Sequence, residues 1–254
     1  MREEQTRGNR SLLDSCIRTD FKLIDNDLGI SCVLLLGAFA LGLSWFLIVA
    51  IIPAIFVIVF LMYRLYGRLY AKSIFGEEAV FYRSLPVPAE VLVLSKIYVG
   101  GAVTIILALV GLAGSLIMSL LGGSLTADVM NMYTSYVQRF MDAGAPAVQL
   151  PVLAALTFFH GVLLCFTEAA VLLLLVVSYK SLPKRNQSYL IHHCFTAIGV
   201  FSLIALVLLP VVLHSLIWED TNLWLPLLQL VCSTAVLVGA YKRSVKAIER
   251  KCEV

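Results

Sequence analysis

Glu168 has the side chain best placed to do chemistry in this chain. It stands near the middle of an apolar run, about Pro151–Tyr179, where an ionised carboxylate costs several kcal/mol unless paired or hydrated. A carboxylate there suits a proton or cation site, or a polar lining on a substrate path. It equally suits a protonated or interhelically hydrogen-bonded glutamate that fixes packing, and both readings stand. His160 lies eight residues earlier, within about 80° on a helical wheel, so the two could share a face. Its place in the outer half of the run also fits an interfacial histidine, as do His192 and His193 at the start of the next apolar run.

A second acidic feature is Glu77–Glu78, followed by Arg83 in EEAVFYR. Intramembrane proteases of the prenyl-protease type carry EExxxR. Here the arginine is one residue too far, a rotation of about 100° on a helix, and the pair lies in a polar segment outside any apolar run. The chain holds no GxxxxGK[ST] phosphate loop, no GxSxG elbow and no HExxH helix, so it is not expected to hydrolyse nucleotide or act as an enzyme by itself. Neither a catalytic residue nor a bound cofactor is expected. The six cysteines, Cys16, Cys32, Cys165, Cys194, Cys232 and Cys252, show no metal-ligand spacing. None falls in an expected extracytoplasmic segment, so no disulfide is expected.

The elements that position these residues follow from composition. Of the 254 residues, 60% are hydrophobic and 14% charged, and the mean hydropathy is +0.93. A soluble domain carries about 25% charged residues, so the deficit points to a membrane protein. Lys and Arg cluster between apolar runs rather than along one face, which argues against a nucleic-acid partner. Residues 1–27 hold no continuous apolar core, so no cleavable signal peptide is expected.

Within residues 11–28, Leu12, Leu13, Cys16, Ile17, Phe21, Ile24 and Leu28 recur at helical spacing. They predict an amphipathic helix lying flat at the cytoplasmic interface. The apolar run Leu28–Met62 is too long for one crossing of ~20 residues. Folding it as a tight hairpin near Gly42–Trp45 keeps Arg2, Arg7, Arg10, Arg18 and Lys22 on the same side as Arg64, Arg68 and Lys72. Pro53 becomes a tolerated kink. Arg64, Arg68 and Lys72 form a four-residue stripe suited to lipid headgroups or to water.

Six spans result, at about 28–43, 46–66, 97–121, 151–179, 194–214 and 223–241. In the third, Gly111, Ser115 and Ser119 form a small-residue ridge for helix packing. Between spans three and four, Val129, Met132, Tyr133, Tyr136, Val137, Phe140 and Met141 predict a second amphipathic helix on the outer side. With both termini inside, all of the 19 Lys and Arg residues except Arg139 are cytoplasmic. The predicted fold is an all-α integral membrane protein with six transmembrane helices. Residues 1–27 form a cytoplasmic N-terminus with an amphipathic interfacial helix, 28–242 the membrane domain and 243–254 a cytoplasmic tail.

Phe75–Lys96, FGEEAVFYRSLPVPAEVLVLSK, is the longest polar interruption of the first half. Gly76 can end the helix leaving the second span. Glu77–Ser84 is long enough for about two turns, and Pro86 prevents simple continuation. Pro88 fits the first turn of a new helix, with Glu90 near its positive end. The product is a short crosswise cytoplasmic helix joined stiffly to spans two and three.

This segment resembles the corresponding loop of small bacterial permeases of the ATP-binding-cassette type 2 exporter family. The matching positions are Gly76, Glu77, Glu78, Leu85, Pro86, Val87, Ser95 and Lys96; Pro88 stands where the family often has Ser. The order of elements is loosely similar along the whole chain. The resemblance implies a multi-pass protein of the bacterial cytoplasmic membrane, working as a permease subunit of an exporter. It implies pairing with a second permease subunit, identical or not, each seated on a separate ATPase subunit that holds the ATP and Mg. It makes residues 77–84 the coupling helix and 11–28 the connecting helix. Gly76, Glu77, Glu78, Arg83, Leu85 and Pro86 then dock the ATPase, and Glu168 with His160 would line a translocation path. The alternatives are an intramembrane protease of the prenyl-protease type and a non-transporting immunity or sensor subunit.

Overall fold

The computed structural model describes residues 2–41, 64–75, 87–120, 149–181 and 224–252. All of these are helical except Val87 and Pro88, so the described chain is all-α. The helices are α1 (Arg2–Leu41), α2 (residues 64–75), α3 (Ala89–Leu120), α4 (Gln149–Ser181) and α5 (Trp224–Cys252). Among the described residues, two stretches are long and apolar enough to cross a membrane: Ala89–Gly111, with mean hydropathy 2.1, and Phe158–Lys180, with 2.4. The hairpin at Gly42–Trp45, Pro53, the outer segment 126–142 and the span expected at 194–214 lie outside the described residues.

α1 differs from the sequence reading. Residues 11–28 and the start of the expected first span form one uninterrupted helix. Its inner face is the line Cys16, Asp20, Ile24, Asp27 and Ser31, all buried, with Ile17, Phe21 and Leu28 partly buried beside it. That face, expected to lie flat on the membrane interface, packs against α2 and α3. The cause is chemical, since the line carries two carboxylates whose partners sit on α2 and α3.

α2 contains a π-helical turn, Gly67–Lys72, in which the Ser73 amide donates to the Arg68 carbonyl five residues back. The Ser73 hydroxyl donates to the Leu69 carbonyl and helps satisfy the widened turn. Such single π turns often mark functional positions. α3 starts where the prolines predict, just after Pro88, whose carbonyl accepts from the Leu92 amide at 3.1 Å. It then runs without a break into the expected third span. Ser95 and Lys96, placed by the sequence in a cytoplasmic segment, therefore lie inside a membrane-capable helix.

Cross-helix contacts give the helix directions. Cys16 clusters with Leu92, and Asp20 meets Ser95 and Lys96, so α1 and α3 run the same way. Tyr66 reaches Thr104 while Tyr70 meets Gly100, so α2 runs opposite to α3. Gly101 meets Phe166 and Gly100 meets Ala169, so α4 also opposes α3. His160 bonds Ser233, and Phe166 shares a groove with Leu237, Val238 and Tyr241, so α4 and α5 are parallel.

Two glycines permit the close packing of α3. A Cβ at Gly100 would collide with the Tyr70 hydroxyl and come within 3.0 Å of the Ala169 methyl, and one at Gly101 would strike the Phe166 ring. Close approach through small residues is how helices gain contact where lipid and side chain are equally apolar. The expected ridge was higher, at Gly111, Ser115 and Ser119; the side chains of the two serines lie outside the described ones. The core around these glycines is built from Leu65, Leu69, Tyr70, Val93, Val99, Val103, Leu173 and Val177.

Candidate functional site

Gly76, Glu77, Glu78, Arg83, Leu85 and Pro86 lie outside the described residues. Both flanks of their segment are described, and α1 holds each of them.

On the incoming flank, Asp27 accepts from Arg68 at 2.7 Å and pairs with Arg64 at 3.1 Å. Arg64 and Arg68 are i, i+4 neighbours, so one turn of α2 presents both guanidinium groups to the same carboxylate. Asp27 is buried, whereas Arg64 is 55% and Arg68 35% exposed. The stripe read as lipid-facing or solvated is thus an interhelical clamp for two of its three members, while Lys72 remains exposed. The Ser31 hydroxyl donates to the Asp27 carbonyl at 2.7 Å in the same buried line.

On the outgoing flank, Asp20 takes a hydrogen bond from the Ser95 hydroxyl at 2.6 Å and an ion pair from the Lys96 ammonium. Asp20 and Lys96 are both 0% exposed. Two isolated charges at that depth would each cost several kcal/mol in lost hydration. Their mutual contact, with Ser95 on the second carboxylate oxygen, offsets it. Cys16, one turn before Asp20, feels this environment. Burial pushes its thiol above the ordinary cysteine range and Asp20 adds to the rise, with Lys96 opposing it.

A second polar group lies deeper, where α2, α3 and α4 meet. The Tyr66 and Thr104 hydroxyls share a hydrogen bond, and both lie within reach of the Gly100 carbonyl, at 3.3 and 3.1 Å. With one proton on each hydroxyl, whichever accepts from the other is the one that donates to the carbonyl. Tyr70 stacks beside Tyr66 with ring centroids 5.4 Å apart. The Tyr70 hydroxyl and Glu168 Oε1 are buried without a hydrogen-bond partner among the described residues. Glu168 lies near Tyr66 and Tyr70.

His160 and Glu168 do not come together as one site. His160 is buried, sharing a 3.3 Å hydrogen bond between Nε2 and the Ser233 hydroxyl of α5. It is thereby held between α4 and α5. Thr167 lies at the same α4–α5 contact: its hydroxyl donates to the Leu163 carbonyl at 2.8 Å and stands 3.3 Å from the Ser233 carbonyl. No group of three or more His, Cys, Asp or Glu side chains could hold a metal among the described residues.

Asp20 and Asp27 are the residues that sequence reading missed. Their signal was present: 16, 20, 24, 27 and 31 fall on one helical line, so Asp20 sits between Cys16 and Ile24, and Asp27 between Ile24 and Ser31, on the buried side. No protein-family model, no curated protein and no solved structure matches the chain.

Proposed function

We propose that this chain is the permease subunit of an ATP-binding-cassette exporter, driven by a separate ATPase that docks on the loop between α2 and α3. The observation that carries the reading is the double attachment of that loop's flanks to α1, through Asp27 to Arg64 and Arg68 and through Asp20 to Ser95 and Lys96. A load applied between Phe75 and Val87 would reach α1, α2 and α3 together, because the ion pairs tie the three helices at the loop's base. The resemblance of residues 76–96 to the loop of this permease family supports the same reading.

Six spans with both termini in the cytoplasm fit the helix directions. α4 and α5 are parallel, which suits a fifth span among the residues between them. The ends of α2, α4 and α5 and the start of α3 then share one side. Lys72, Lys180, Lys242, Arg243, Lys246 and Arg250 mark that side, as the positive-inside rule requires of a cytoplasmic face. Glu77, Glu78 and Arg83 contact the ATPase by charge pairing and surface fit; ATP and Mg are held by that subunit. Glu168, with Tyr66, Tyr70 and Thr104, supplies the polar interior of a bundle that pairs with a second permease copy or homologue.

The test is whether an ATPase with a phosphate-binding loop is encoded beside this chain and co-purifies with it, followed by ATP hydrolysis in reconstituted vesicles. Co-purification, with hydrolysis uncoupled from the permease by Glu77→Ala/Glu78→Ala, is the expected outcome. Absence of any complex, or normal coupling in the double variant, would overturn the assignment. Chelator-sensitive proteolysis without an ATPase would favour a membrane protease instead.

A further inference from the structure

An open groove of about 220 Å³ lies between α3, α4 and α5, lined by Leu94, Ile97, Tyr98, Phe166, Leu237, Val238 and Tyr241. Its wall exposes only apolar atoms. A water there would lack the roughly two to four polar partners that hold buried water in place. Tyr98 and Phe166 close one side with ring centroids 5.8 Å apart, and Leu94, Tyr98 and Val238 are themselves exposed along the rim.

The groove has a polar end. Val238, Lys242 and Lys246 follow each other at i, i+4, so they form one line along α5. Both lysines are exposed, and so is Arg243, while Ser244, Val245 and Ile248 on the opposite side are buried in the bundle. Apolar wall passes into ammonium groups within a single helical turn. Two acids stand near this end: Glu90 on α3, whose charge reaches Tyr241, and Glu249, three residues past Lys246. Lys242, Arg243, Lys246 and Arg250 outnumber them.

We infer that this groove holds one acyl chain of an anionic phospholipid, with Lys242 and Lys246 gripping its phosphate. The inference rests on the membrane part of the function proposed above and not on transport. The apolar wall selects the hydrocarbon tail, and the lysines select the headgroup charge, each worth about 1 kcal/mol near a membrane surface, or about fivefold in retention. Tyr98 and Tyr241 suit the boundary between them, with ring bodies in the apolar part. Glu90 opposes the anion from across the groove and sets an upper limit on retention.

The experiment is native mass spectrometry of the full chain, purified in detergent, stripped of lipid and offered equal amounts of phosphatidylglycerol and phosphatidylcholine with identical tails. Preferential retention of phosphatidylglycerol is expected, falling about fivefold for each of Lys242→Gln and Lys246→Gln and rising in Glu90→Gln. Val238→Trp fills the groove from its exposed rim, so both lipids should be lost. Equal retention of the two lipids, or retention indifferent to Val238→Trp, would overturn the lipid site. A chain that remains soluble without detergent fails the membrane reading itself, so the two failures are distinct.

Discussion

Asp20 and Lys96, 76 positions apart and both shielded from solvent, form an ion pair that fastens α1 to the first turns of α3. The lysine ends a polar segment in the sequence, yet it lies inside a membrane-capable helix. Removing either partner leaves the other charge buried without this counter-ion. Asp20→Leu or Lys96→Met should each cost about 3–5 kcal/mol, whereas the Asp20→Leu/Lys96→Met pair should regain most of that loss. Thermal unfolding in detergent measures the cycle. Additive losses in the double variant would show that the pair does not form.

The Asp27 clamp should behave differently, because its cations reach solvent. Arg64, more than half exposed, should contribute under about 1 kcal/mol, so Arg64→Gln is nearly silent in thermal unfolding. Arg68 is better buried and closer, at 2.7 Å, so Arg68→Gln should cost more. Asp27→Leu removes both contacts and leaves two guanidinium groups able to turn to water; its loss should exceed that of either arginine. The ranking Asp27, Arg68, Arg64 is the result to check, and its reversal would contradict the clamp.

These two acids show where sequence reading stopped. Helical periodicity located α1, and the prolines located the start of α3. The breadth of the apolar runs announced a bundle. What the apolar face of α1 packs against was not legible, because an aspartate on that face reads as a flaw until its partner is known. Arg64, Arg68, Ser95 and Lys96 are remote in sequence, and no local pattern ties them to Asp20 or Asp27. Glu168 was legible as an anomaly in an apolar run. Its neighbours Tyr66 and Tyr70 were not, since nothing local in the sequence ties them to a residue some hundred positions away. His160 looked like its partner on a helical wheel, but Ser233 on α5 claimed it.

Gly100 offers a sharper test of how α2, α3 and α4 meet. A methyl group there would overlap the Tyr70 hydroxyl, so Gly100→Ala should destabilise by about 1–3 kcal/mol through overpacking. That hydroxyl has no hydrogen-bond partner among the described residues. Tyr70→Phe alone should therefore be close to neutral, and in combination with Gly100→Ala it should recover part of the loss. A Tyr70→Phe variant as damaging as Gly100→Ala would mean the hydroxyl has a role beyond filling space.

The parallel run of α4 and α5 leads to a prediction about the whole chain. Consecutive spans in a bilayer alternate in direction. Two parallel helices separated by residues 182–223 must therefore have an odd number of crossings between them. That stretch holds one apolar run of crossing length, about 194–214. Alkaline phosphatase is active only outside the cytoplasm of a bacterium, so fusions at successive positions report the path. Fusions after Thr134 and Glu219 should be active, and those after Asn186 and Lys246 inactive. An active fusion after Asn186 would place the end of α4 outside and remove the cytoplasmic assignment from its Lys180. Equal activity after Asn186 and Glu219 would mean that the intervening run does not cross. α4 and α5 could not then both be spanning helices in the direction their contacts require.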